Sequence, residues 1–184
     1  MHRILLVTLM TLMGSPNVSA AQKEIDIDHS SLTIHVGKTG LLSVAGHEHT
    51  VTAPIKSGNI DDGQPSHVSF SIDAGRLVVL PEEHQAEIQH SMQEKVLESA
   101  RFPEISFVSD SVQPSGENSW IVLGELSLHG VTKPIRMSVR KVEGRYLGTS
   151  MIKQTDFGIQ PISAAGGAVK VRNELKIDFL ISTK

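Results

Sequence analysis

The chain has 184 residues, a formal net charge of −3 and no cysteine. That length suits one domain, and its mild acidity gives no electrostatic case for nucleic acid, which wants a basic face, and argues against an anionic membrane surface as partner. Without cysteine there is no disulfide, thiolate ligand or thiol nucleophile, so stability rests on the core alone.

The first residues read apart from the rest. "MHR" is a short basic start, "ILLVTLMTLMG" is apolar, and "SPNVSAAQ" supplies small residues. This is the pattern of a secretory signal peptide, and Val18 and Ala20 fit a cut after Ala20. The apolar run is too short to span a bilayer, so no transmembrane anchor is expected. Residues 1–20 are therefore assigned as signal peptide and 21–184 as the mature domain. Loss of Arg3 makes that domain one charge more acidic. A cysteine-free secreted domain suits the bacterial periplasm.

From there the chain alternates with period two. "SLTIHV" sets Leu32, Ile34 and Val36 against Thr33 and His35. "HVSFSID" sets Val68, Phe70 and Ile72 against serines, and "PEISFVS" repeats this with Ile105 and Phe107. "SWIVLGELSLHG" carries Trp120, Val122, Leu126 and Leu128 on one side, with Ile121 and Leu123 on the other, so this strand is expected to be covered on both faces. "IRMSVRKV" alternates Ile135, Met137 and Val139 with Arg136, Ser138 and Arg140. "VKVRNELKIDFLI" lines Val169, Val171, Leu175, Ile177, Phe179 and Ile181 on one face, with charged residues opposite. These are half-buried antiparallel strands, separated by turns such as "GKTG", "QPSGENS" and "VEGR".

One segment breaks the rhythm. In "PEEHQAEIQHSMQEKVLESARFP", Ile88, Met92 and Val96 recur at spacings of four. Pro81 suits a first helical turn, Glu82 and Glu83 suit the positive end of the helix dipole, and Pro103 closes the segment. The expectation is one amphipathic helix of about four turns on an all-β domain of eight strands, closed as an antiparallel barrel or sandwich. Such a barrel holds either packed side chains or one small ligand. Periodicity alone favours packed stripes.

Several motifs fail on inspection. Gly37-Lys38-Thr39 ends like a P-loop, but Leu32 stands where its first glycine belongs, and no helix follows. "GTSMI" lacks the second glycine of a nucleophile elbow. Glu87 and His90 form an E-x-x-H pair, but no second pair accompanies them. "HEHTV" lacks the second histidine of H-E-x-x-H. On a strand, however, His47 and His49 point to one side. They are a candidate divalent-metal pair needing a third ligand, with His35, His84 and His129 as candidates. Otherwise they are histidines at a cavity mouth or in solvent.

Five segments together resemble the YceI-like family, lipocalin-like barrels secreted by bacteria. They are "IDIDHSSLTIHV", "GLLSVAGHEHTV", "MQEKVLESARFPEISFVSDSV", "VLGELSLHGVTKPIRM" and "QTDFGIQP". The fourth is the most specific, matching G-x-L-x-L-H-G-V-T-[KR]-P. The resemblance implies an eight-stranded antiparallel lipocalin-like barrel with one helix packed against it, and in some members a polyisoprenoid or other amphiphilic lipid inside. It turns the expectation from packed stripes to a lipid tunnel. The chain is a divergent branch: Gly46 is followed by His47-Glu48-His49 where the family has an aromatic, and "EIQHSMQEK" replaces an arginine–aspartate pair. His129, within the signature, is expected to bond a turn.

The reading is thus a periplasmic binding protein, not an enzyme, for an isoprenoid-like or fatty amphiphile. The cavity wall is assigned to Ile34, Val36, Phe70, Ile72, Phe107, Trp120, Val122, Leu126, Leu175, Ile177 and Phe179, with His47 and His49 near a polar end. No cofactor is expected unless His47 and His49 hold a metal. Monomer and homodimer both remain open.

Overall fold

The computed structural model describes residues 22–39, 48–61, 63, 66–164 and 169–184. The assigned signal peptide lies outside the described residues. Twelve strands form one antiparallel sheet: β1 (Gln22–Glu24), β2 (Ser31–Thr39), β3 (His49–Thr52), β4 (Ile55–Asp61), β5 (His67–Asp73), β6 (Val78–Val79), β7 (Glu104–Gly116), β8 (Ser119–Leu128), β9 (Val131–Val142), β10 (Arg145–Lys153), β11 (Ser163–Ala164) and β12 (Val169–Ile181). Eleven follow the order β1-β4-β5-β7-β8-β9-β10-β12-β2-β3-β6, and β11 pairs β12 at the side.

The sheet curls until its two ends meet. Near one end of that order, β3 runs through Ala53 and Pro54 into β4, which lies near the other end. Ile25, just past β1, bridges Thr183, just past β12. The backbone seals the join: Asp26 N donates to Ser182 O, and Ile25 N to Gly58 O.

The expected count of eight strands is corrected to twelve among the described residues. Two long runs are broken, one by the 3₁₀ turn Ile27–His29 between β1 and β2. The other breaks at Ala53-Pro54, where proline has no N–H for a ladder. β6 and β11 are two residues each, too short to leave a periodic signal.

Alternation sets the inner face. Val122, Leu126 and Leu128 are buried while Leu123 is 36% exposed, so β8 is covered on one face only, against expectation. Glycines allow close approach at two points. A Cβ at Gly124 would come within 2.3 Å of Val108 O and 2.5 Å of Phe107 Cζ. At Gly148 it would come within 2.2 Å of Phe179 Cζ. Both lie where aromatic rings press against the sheet.

The helical segment is shorter than expected. α1 (Gln85–Ser91) runs directly into a π turn over Met92–Val96. Pro81, Glu82 and Glu83 precede it, because His84 takes a left-handed conformation at φ 59° and a residue in that conformation does not continue a right-handed helix. Glu98, also left-handed at φ 44°, follows the π turn.

Three glutamines at spacing four fix the segment to the sheet edge. Gln85 Nε2 donates to Val79 O at 2.7 Å. Val79 N donates to Gln89 Oε1 at 2.7 Å, and Gln89 Nε2 donates to Leu77 O at 2.8 Å. Gln93 Nε2 reaches Ala74 O and Leu77 O, both at 3.1 Å. β6 pairs β3 on one side, and on its free edge the backbone groups of Val79 are satisfied by glutamine side chains instead of another strand. The neighbouring stripe of the segment, Ile88, Met92 and Val96, packs against the core.

Candidate binding cavity

The inside of the curled sheet is apolar and open. One cavity of about 380 Å³ lies beneath the helical segment. A second, of about 140 Å³, lies further along. Pockets that hold small molecules run to about 300–1,000 Å³, and the larger cavity falls within that range by itself.

Ten of the eleven residues assigned to the wall from sequence line one of these spaces. Ile34, Val36, Ile72, Leu126, Leu175 and Ile177 line the larger. Trp120, Val122 and Phe179 line the smaller, and Phe70 lines both. Phe107 is the correction. It is 0% exposed and stacks on Phe70 at 5.4 Å between centroids, so it backs the lining instead of forming it. The empty space beside Gly124 lets its ring sink that far.

Sequence reasoning left out the helical contribution. Ile88, Met92 and Val96 line the larger cavity, with Glu87 and Ser91 from the same segment. Their spacing of four identified a buried stripe, but not what the stripe faced. Gln154, which opens the 3₁₀ turn Gln154–Phe157, and Ile159 just after it also line it. Gln154 is 4% exposed and donates from Nε2 to Arg172 O at 2.9 Å.

His49 borders the larger cavity, opposite Val36 in the ladder. Its Nδ1 lies 2.8 Å from both carboxylate oxygens of Glu82, and both side chains are mostly buried. Glu82, expected at a helix start, instead closes this charge-assisted contact. His47 lies outside the described residues. The three candidate third ligands stand elsewhere. His35 is on the outer face with Asp178. His84 is exposed beside Glu83 and Glu87. His129 Nδ1 donates to Phe157 O at 3.3 Å, in a tight turn where it and Gly130 both have positive φ. Its ring sits 4.3 Å from that of Phe102, and this is a turn-bonding role. Among the described residues, no three His, Asp or Glu side chains gather as a metal site.

Two carboxylates away from the cavities are shifted by their neighbours. Lys176 Nζ, 2.8 Å from Asp178, holds that carboxyl below its ordinary value of 3.8, and His35 adds to the effect. At the foot of the sheet the His29 side chain lowers Asp26 likewise. Neither carboxylate borders either interior space.

The chain's relatives share this shape. The YceI-like domain matches residues 24–183. The chain belongs to the YceI-like family. A UPF0312 protein of Shewanella putrefaciens is 28% identical over 163 residues, covering 82% of this chain and 83% of its own. One from Shewanella oneidensis is 27% identical over 162 residues, covering 82% and 83%. Among solved structures, a polyisoprenoid binding domain from Saccharophagus degradans, implicated in plant cell wall breakdown, superposes with a TM-score of 0.61 at 17% identity, covering 88% of this chain and 97% of that one. BcnA of Burkholderia cenocepacia gives 0.58 at 19% identity, covering 85% and 98%. At these identities the structures establish the lipocalin-like fold.

Proposed function

We propose that this YceI-like protein binds an isoprenoid-like or other long-chain amphiphilic lipid inside the curled sheet and carries it in the periplasm. One observation carries the reading. Ile34, Val36, Phe70, Leu175, Ile177 and Phe179 point inward yet are only partly buried, because they face open space. Inward aliphatic residues in a packed core would be fully covered. An apolar chain entering that space gains about 0.8 kcal/mol per methylene buried and needs no charged partner. Glu87, Ser91 and the His49–Glu82 pair stand beside it for a polar head. The Saccharophagus degradans polyisoprenoid binding domain supports the choice of ligand by its fold. The signal-peptide pattern supports the location.

The action proposed is binding and shielding, with no bond made or broken. Titrating the protein with a fluorescent fatty-acid analogue tests it. Saturable uptake of one chain per protein, displaced by farnesol, is expected. Fluorescence that never saturates, or that farnesol leaves unchanged, overturns it.

A second reading, a divalent metal on His47 and His49, draws on the Glu82 contact. A carboxylate on Nδ1 orients a histidine to ligate through Nε2. It requires zinc binding that His49→Ala abolishes while thermal unfolding stays near that of the parent protein. Equal zinc binding in the variant rejects it.

A further inference from the structure

The interior is divided at one place. Leu32 and Phe70 border both cavities, and Phe70 presents the larger side chain. One face of the Phe70 ring is held. It stacks on Phe107 with 26° between the rings, and Phe107 is fully buried. Behind Phe107 the backbone at Gly124 is so close that a single added carbon would sit 2.5 Å from Cζ. On its other flank, a Cβ at Gly58 would come within 2.9 Å of Phe70 Cβ. The waist is therefore a packed aromatic pair wedged between two glycines, and packed interiors yield little.

Polar groups stand on either side of that waist. At the far end of the smaller cavity they are tied to one another: Gly63 N donates to Asp61, Ser66 Oγ donates to Gly63 O, and Ser109 Oγ bonds His67. The larger cavity has Glu87, Ser91 and the His49–Glu82 pair along the helical side. A head placed there sends its tail towards Phe70.

Building on the lipid reading above, we propose that Phe70 is a length gauge. It sets the longest tail that the larger cavity accepts, and the smaller cavity is an extension reached only when that ring is removed. The chemical class selected is a single unbranched or isoprenoid tail ending at the waist. Longer tails leave their extra carbons in water.

The sole tryptophan, Trp120, lines the smaller cavity and so reports entry there independently of affinity. The test uses n-alcohols from decanol to eicosanol, competing with a fluorescent fatty-acid analogue, on the parent protein and on Phe70→Leu and Phe70→Ala. In the parent, affinity should rise about fourfold per methylene and then stop rising, with Trp120 emission unchanged throughout. In the variants the rise should continue to longer alcohols, and Trp120 emission should shift to the blue as tails pass the waist. Phe70→Leu keeps an apolar side chain and serves if Phe70→Ala does not fold. A folded variant that levels off at the same alcohol as the parent overturns the gauge, as does a parent whose affinity climbs without a break while Trp120 shifts. If the parent binds no alcohol of any length, the lipid reading falls, and the gauge with it.

Discussion

The two interior cavities share one sheet yet are closed by different means. The larger is roofed by a separate helical segment that touches the sheet edge through glutamine side chains. The smaller is closed by the sheet itself, where Ile25, Ile55, Tyr146 and Ile181 cluster at the join of its two ends. Strand packing supplies the second closure through the same contacts that hold the fold. The first depends on a few hydrogen bonds and a stripe of three apolar residues, the kind of region that opens at lower free-energy cost than core strands. On the proposed lipid reading, a ligand enters from the helical side, and the other end stays rigid.

The strongest way to break it is to remove what separates the two spaces. Phe107→Ala should destabilise the protein by about 3–5 kcal/mol, with about 2–4 °C lost in Tm per kcal/mol for a chain of this size. A thermal shift near zero would mean that the waist is not packed. Next in size, Ile177→Trp fills the larger cavity from its wall and should weaken uptake of a long-chain alcohol by about tenfold or more, by the space denied to methylenes. Val112→Trp, in the smaller cavity, should leave that affinity unchanged. Equal losses in both would erase the distinction between the compartments.

Gln89→Leu sharpens the comparison at the roof. It removes both bonds of the central glutamine and leaves the Val79 amide without its partner, at a cost of about 1–3 kcal/mol. Hydrogen exchange at Val79 should accelerate while that at Phe107 changes little. Uniform acceleration would show that roof and sheet open as one unit.

The smallest effect lies outside both cavities. Asp178 has a lowered folded pKa, chiefly through Lys176. Its stabilising contribution is therefore present above the ordinary value of 3.8 and is lost as pH falls below it. The group is exposed enough for solvent to screen it. Asp178→Asn should narrow the gap in Tm between neutral pH and pH about 3 by a degree or less, and ligand affinity should not change.

What the sequence revealed follows from what leaves a local trace. Strands with one wet and one dry face alternate, so β2, β5, β7, β8, β9 and β12 were legible, and with them the direction of nearly every wall residue. Depth was not. Phe107 has the same parity as the lining residues, and only Gly124 on the neighbouring strand lets it retreat behind them. The helix start was misplaced because proline and two glutamates suit a first turn locally, whereas Glu82 is drawn to His49, 33 residues earlier. The glutamine spacing was visible, but its partners are backbone atoms of a two-residue strand that carries no pattern. The waist is a tertiary fact, created where β4, β5, β7 and β8 press two rings between glycines.

The most direct test is native mass spectrometry of the protein purified from periplasm, with neither ligand nor chelator added. The account predicts an adduct of lipid mass that disappears on denaturation. A bare protein mass that also stays bare after incubation with farnesol would contradict it.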